Sequence, residues 1–246
     1  MNFFLRRQQP LSPPSPGADA LERVRLLVAG ERAADGSALE ELTAALLEVG
    51  STGSAEDSFE ALRTLTERPV LLLRLDAFIR REWWHPTCPT PRPVEADPVA
   101  LALAASHADG RIRERAVRRM LDQPHPGTMP FLVLRTSDWV RQVRDAASAG
   151  LAVLLHGDPL LATPATVRTA LLINRRQRGA FAHGQLLVPL LTGSTTALTG
   201  TLLAAPEAPV RRFALDALAP PPGRPHPAGP PQTHNQRPVK APPPAG

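Results

Sequence analysis

Tyrosine is absent from this 246-residue chain, lysine occurs once (Lys240), cysteine once (Cys88), and aromatic residues make up only 4%. Each scarcity excludes something. A lone cysteine leaves no internal disulfide and no cysteine-based zinc site. Cys88 sits in Pro-Thr-Cys-Pro-Thr-Pro, a stretch expected to be an extended loop, so a surface thiol is expected there rather than a nucleophile. Tyr and Phe favour strands, whereas the abundant Leu, Ala, Arg and Glu are helix formers. The expected fold class is all-α.

Long uninterrupted apolar runs are also missing. The N-terminal MNFFLRRQQP places its apolar residues before its arginines and lacks an apolar region of signal-peptide length, so secretion is not expected. Leu71 to Ile79 is interrupted by Arg74 and Asp76 and is too short to cross a bilayer. The stretch from Gly179 to Pro206 carries no formal charge and follows a basic flank, the pattern sought by the positive-inside rule. Its polar and helix-breaking residues, Gln185, Pro189, Gly193 and Gly200 among them, suit two short buried helices better. No membrane span is expected, and the expected location is cytoplasmic.

Charge is unevenly placed. Between Ala18 and Arg68, eleven acidic residues face five arginines, a net of −6, although the whole chain carries +5. An acidic first part therefore precedes a basic second part. One consequence would be that the acidic region lies against the basic one and competes with an acidic partner, so that deleting residues 1–96 would strengthen acidic ligand binding.

Proline marks the boundaries. Residues 1–17 end in a proline-rich run that reads as a disordered leader, residues 85–98 as a semi-rigid linker, and residues 219–246 as a tail too poor in apolar residues to order itself. Between leader and linker, residues 18–84 show helical periodicity. Leu21, Val24, Leu27 and Val28 mark a first helix stopped by Gly30. Leu39, Leu42, Leu46 and Val49 mark a second, opened by a capping box at Ser37 and Glu40 and ended at Gly50. Phe59, Leu62 and Leu65 mark a third helix, and Pro69 opens a fourth that runs to about Trp84.

Between linker and tail, in residues 99–218, one spacing recurs. Ile112-Arg113 precedes Ala116 and Met120; Val143-Arg144 precedes Ala147 and Leu151; Val210-Arg211 precedes Ala214 and Leu218. The aliphatic residue, the alanine and the Leu or Met lie four apart on one helical face, and the small alanine admits a neighbouring helix. Asp109-Gly110, Ser137-Asp138 and Pro206-Glu207 precede the three copies and are expected to cap them. The motif arginine can reach back to backbone carbonyls or to the acid of an adjacent turn. A short apolar helix precedes each motif, at Val99 to Ala105, Met129 to Leu134 and Leu198 to Ala204. A degenerate copy is expected near Arg175 to Arg178. Paired helices at a period of thirty-odd residues are the signature of an α-solenoid.

These motifs resemble the HEAT-repeat family, in particular the short bacterial HEAT-like repeats. The resemblance rests on Asp109-Gly-Arg-Ile-Arg-x-x-Ala, on Asp138 to Ala147, and on Pro209-Val-Arg-Arg-Phe-Ala, and covers roughly residues 97–218. It implies a right-handed superhelix whose second helices line a concave surface, usually for protein. The chain departs from the pattern in its poorly formed third repeat and in an array that runs into the tail without a polar cap.

Function is then expected to be non-catalytic: a scaffold or adaptor with a protein partner and no cofactor. The motif arginines are expected to brace the repeats. The irregular ones, Arg115, Arg118, Arg119, Arg141, Arg175, Arg176 and Arg178, are the candidates for a basic binding surface. The alternative is a nucleic-acid-binding protein, because some HEAT-like solenoids are alkylpurine DNA glycosylases. Asp138-Trp139 with Arg141 and Arg144 would offer a carboxylate, an aromatic and cations together. Against it, Asp138 is explained as a cap and Trp139 as packing against the previous turn. Other chemistry finds no support: His85, His107, His125, His156 and His183 form no metal-ligand pair, and no phosphate-binding loop, dinucleotide motif or nucleophile elbow occurs.

Overall fold

A computed structural model of the protein describes residues 16–30, 35–82, 97–175, 178–191 and 196–219. Among these residues the chain is all-helical, with twelve α-helices, one 3₁₀ turn at Pro159–Leu161 and no strand. Residues 85–96 of the expected linker, Cys88, Trp83, Trp84 and the tail from residue 220 lie outside them.

The first four helices are α1 (Pro16–Ala29), α2 (Gly36–Thr52), α3 (Ala55–Thr66) and α4 (Pro69–Glu82). Their expected stripes are buried: Leu21, Val24 and Val28 on α1; Leu39, Leu42, Leu46 and Val49 on α2; Leu62 and Leu65 on α3. Pro69 opens α4 as expected, since the first helical position needs no N–H donor.

Three local expectations are corrected. Residues 16 and 17, read as the end of the leader, already belong to α1, which begins at Pro16. Gly17 is buried against Gly53, where a Cβ would stand 2.3 Å from the Gly53 Cα. Only a glycine lets the start of α1 close on the end of α2. Ser37 does not cap α2; the extended residue before the helix is Asp35, whose carbonyl already accepts the Leu39 N–H at 2.9 Å. The capping box is instead at the start of α3, where Ser54 and Asp57 each accept the other's backbone N–H. Finally, Gly50 does not end α2, which continues to Thr52. A Cβ at Gly50 would lie 2.8 Å from the Asp97 carboxylate, so the glycine makes room for the residue that caps the next helix.

That helix is α5 (Pro98–Ala105), followed by α6 (Gly110–Asp122), α7 (Met129–Arg135), α8 (Arg141–Gly157), α9 (Pro164–Ile173), α10 (Ala180–Leu191), α11 (Thr196–Leu203) and α12 (Ala208–Leu218). They pair in chain order, α5 with α6, α7 with α8, α9 with α10 and α11 with α12. The second members also touch one another in succession, α6 with α8, α8 with α10 and α10 with α12. The uncharged stretch 179–206 holds α10 and α11, of 12 and 8 residues. No helix among the described residues is long and apolar enough to cross a membrane.

The motif face is buried in the second copy, buried except for half-buried Ile112 in the first, and shifted in the third. Ala116 and Met120 are buried on α6, and Val143, Ala147 and Leu151 on α8. On α12, Val210 and Ala214 are buried but Leu218 is 50% exposed, and Phe213 and Ala217 take the inward positions. No later helix follows α12 among the described residues to cover Leu218.

Two ion pairs cross between the acidic helices and the basic ones, Asp76 with Arg135 and Arg80 with Asp138, but the acidic helices meet the others chiefly across apolar surface. They share a single continuous core with them: α2 and α3 pack on α5, and α4 packs on α9. Their surface acids are answered locally, Glu48 by Arg23, Glu22 by Arg25 and Glu67 by Arg63. Removing residues 1–96 would uncover the buried residues of α5, so that deletion would test stability rather than competition.

Candidate functional site

The motif arginines make one bond in common. Arg113 Nη1 donates to the His107 carbonyl at 2.7 Å, Arg144 Nη1 to the Asp138 carbonyl at 2.9 Å, and Arg211 Nη1 to the Ala205 carbonyl at 2.8 Å. In each case the acceptor lies six residues back, in the connection to the preceding helix. Arg113 and Arg211 add the carbonyl five residues back, Ala108 and Pro206. Carbonyls just past a short helix lack an intrahelical donor, and a guanidinium supplies one.

Arg113 also joins a buried cluster. Its Nε and Nη2 grip Asp138 at 3.0 and 2.9 Å, the bidentate geometry that arginine favours. Asp138 is approached by Arg135 at 3.5 Å and by Arg80 at 3.7 Å, and its Oδ1 also accepts the Val140 N–H. Asp76 on α4 accepts from Arg135 and Arg80. Burial pushes both carboxyls up, but the surrounding guanidiniums outweigh it and hold both below the usual aspartate range.

This settles the fate of several sequence assignments. Asp109 caps α6 through the Arg111 N–H, and Asp138 holds the entry to α8, but Glu207 makes no capping bond and pairs with Arg168 instead. Asp138 is enclosed and fully engaged, so it presents no free carboxylate to a nucleic acid. Trp139 does not pack on the previous turn; it is 66% exposed, with its ring 5.8 Å from the Arg113 guanidinium carbon.

Of the candidate surface arginines, Arg115, Arg118 and Arg119 are exposed on α6, Arg118 being paired with Glu114 at 2.6 Å. Arg141 is exposed at the start of α8 and pairs with Asp145 at 3.1 Å. Arg175 and Arg178 are exposed between α9 and α10, and Arg176 lies outside the described residues. None of the described six lines the clefts that follow.

The largest of these clefts, about 690 Å³, runs between α1 and α3 on one side and the α6–α7 connection and the start of α9 on the other. A second, of about 650 Å³, shares Arg25, Glu67, Pro164 and Arg168 with it and reaches Glu207 at the start of α12. Together they form one groove. Its apolar floor includes Phe59, stacked on His125 with centroids 3.5 Å apart and planes 15° off parallel. His125 Nδ1 accepts the Gly127 N–H, and burial holds its imidazole below the ordinary histidine range. Along one wall Glu60 accepts from Arg63 and Arg25, which hold its carboxyl down at about 2.

At the far end Arg168 donates to the Glu67 carbonyl at 2.9 Å and to Glu207 at 2.5 Å. Its Nε and the Glu207 Oε2 are both buried and have no hydrogen-bond partner among the described residues. The groove was not legible in the sequence. Phe59, His125, Arg168 and Glu207 come from four elements far apart in the chain, and in the sequence Phe59 reads only as a helix marker and Glu207 only as a cap.

Among the described residues no group of three or more His, Cys, Asp or Glu side chains is placed to hold a metal ion. No family model, curated protein or solved structure matches the chain.

Proposed function

We propose that this protein is a non-catalytic scaffold built on HEAT-like repeats, an α-solenoid that binds a protein partner through the groove between α1–α3 and α9–α12. The repeat part of the proposal is supported by the same arginine-to-carbonyl bond, six residues back, in three helix pairs. The succession α6, α8, α10, α12 is what a stacked array requires.

The binding part is supported chiefly by the pair of unmet polar atoms at the groove's end. A buried donor and a buried acceptor without partners each cost about 1–3 kcal/mol. An extended peptide main chain offers both a C=O for Arg168 Nε and an N–H for Glu207 Oε2. The mixed lining, an apolar stack flanked by arginines and carboxylates, resembles the polar, only moderately apolar surfaces of non-obligate interfaces.

The test is site-specific photocrosslinking in the native cell. A photoreactive residue in place of exposed Glu56, which lines the groove, is expected to capture a discrete protein. One in place of exposed Ala149 on α8 is not. The Arg168→Ala change should reduce capture at Glu56 at least tenfold. Equal capture from both positions, or capture indifferent to Arg168, would refute the groove as the contact surface.

One observation favours a second reading, nucleic-acid binding. Arg111, Arg115 and Arg119 are exposed along α6 and pair with no acid among the described residues. A mobility shift with duplex DNA separates the two. Retention at low salt that weakens steeply with added salt and in R115A/R119A would favour nucleic acid. Absence of retention at low salt removes that reading.

A further inference from the structure

Among the described residues the buried cluster around Asp138 does not balance. Arg80, Arg113 and Arg135 contribute three positive charges, and Asp76 and Asp138 two negative ones. A net charge held away from water is costly unless an opposite charge meets it. All members but one are sealed: the side chains of Asp138, Arg113, Arg135 and Asp76 are 0%, 0%, 2% and 7% exposed. The outward member is Arg80, whose side chain is 25% exposed.

A cleft of about 360 Å³ opens on this cluster from the last turns of α4, lined by Asp76, Arg80, Arg81, Arg135, Ser137 and Asp138. Two features give it spare donors. Arg135 is buried to 2% side-chain exposure, yet its Nε has no hydrogen-bond partner among the described residues. Among the described residues Arg80 is held only by contacts of 3.2 to 3.7 Å, and exposed Arg81 only by a 3.3 Å bond to the Ala77 carbonyl. Asp138 and Asp76 are meanwhile saturated, so what the cleft presents to an incoming group is cationic.

We infer that this cleft binds a phosphate group, either inorganic phosphate or a small phosphate monoester, with Arg80 and Arg81 as its direct ligands. Adjacent guanidiniums present several N–H donors in planar forks that match an oxyanion, and phosphate is the oxyanion that uses most of them. The cleft is larger than phosphate alone, which leaves room for the carbon skeleton of a monoester. The site is separate from the groove across α1–α3 and shares no residue with it.

Calorimetric titration of the full chain with inorganic phosphate, and separately with phosphoserine, at constant ionic strength tests this. One saturable site is expected, with R80Q weakening it at least tenfold, R81Q weakening it several-fold and R141Q leaving it unchanged. Tighter binding of phosphoserine would identify a monoester as the ligand; equal or weaker binding would identify the free anion. No saturable heat with either compound overturns the inference. So does a rise in Tm that is linear in phosphate and equal in R80Q, the behaviour of an excluded salt acting on the whole surface. Should circular dichroism show that R80Q does not fold, R81Q decides, because Arg81 is exposed; undiminished affinity there overturns the assignment.

Discussion

Two arginines in the same motif position can do unequal amounts of structural work, and the difference lies in what surrounds them. Arg113 is wholly buried, binds two carbonyls through Nη1 and clasps Asp138 through Nε and Nη2. Arg211 makes only the carbonyl bonds among the described residues and is partly open to solvent. Removing one partner of a buried ion pair leaves an uncompensated charge, which costs about 3–5 kcal/mol. Removing a partly exposed donor lets water replace it, at about 1 kcal/mol. Arg113→Ala is therefore expected to be several times more destabilising than Arg211→Ala, with Arg144→Ala close to the latter. Urea denaturation midpoints measure the order directly, and equal losses would mean that Asp138 is not the partner that matters.

Among the helices, the two Ser-x-x-acid stretches near the N-terminus show how local signals compete. Ser37 with Glu40 and Ser54 with Asp57 look alike in the sequence, but only the second pair flanks the first turn of a helix. Asp35 lies extended and its carbonyl starts the α2 hydrogen-bond ladder, so Ser37 falls inside the first turn with nothing to cap. Ser54→Ala should thus cost about 1 kcal/mol, the usual value of an N-cap. Ser37→Ala should stay within about 0.5 kcal/mol, as for an ordinary surface site. Comparable losses at both positions, read from thermal melts, would contradict this placement of the cap.

For the molecule as a whole, the decisive fact is that the apolar core does not divide at the proline-rich segment. Leu42, Leu46 and Leu62 belong to the same cluster as Val99, Leu103 and Leu134. The Asp97 side chain at the start of α5 accepts the Ser58 hydroxyl at 2.7 Å, and Asp76 on α4 holds Arg135 on α7. Calorimetric unfolding of the full chain is accordingly expected to be one cooperative transition, with calorimetric and van't Hoff enthalpies in agreement. Leu103→Ala should lower that single midpoint without splitting it. A calorimetric enthalpy well above the van't Hoff value, or two resolved peaks, would mean two independent units.

Much of this was legible from residue order, because helices are governed by short-range rules. The Leu and Ala bias, the 3.6-residue stripes, Pro69 at a first turn and the aliphatic-Arg-x-x-Ala motif itself all act within one or two turns of chain. They specified helical content, most helix positions and the bracing role of Arg113, Arg144 and Arg211. Three-dimensional packing decided what depends on distant neighbours. Gly50 became an opening for Asp97 instead of a stop, Glu207 became the partner of Arg168 instead of a cap, and Trp139 turned to solvent. Opposite net charges hinted at how the two parts of the chain would meet, but exposed charges are screened and weak, whereas burying apolar surface is worth about 25 cal/mol per Å². The core chose the arrangement. The groove and the arginine cleft follow from that choice, since each draws its side chains from helices far apart in the chain.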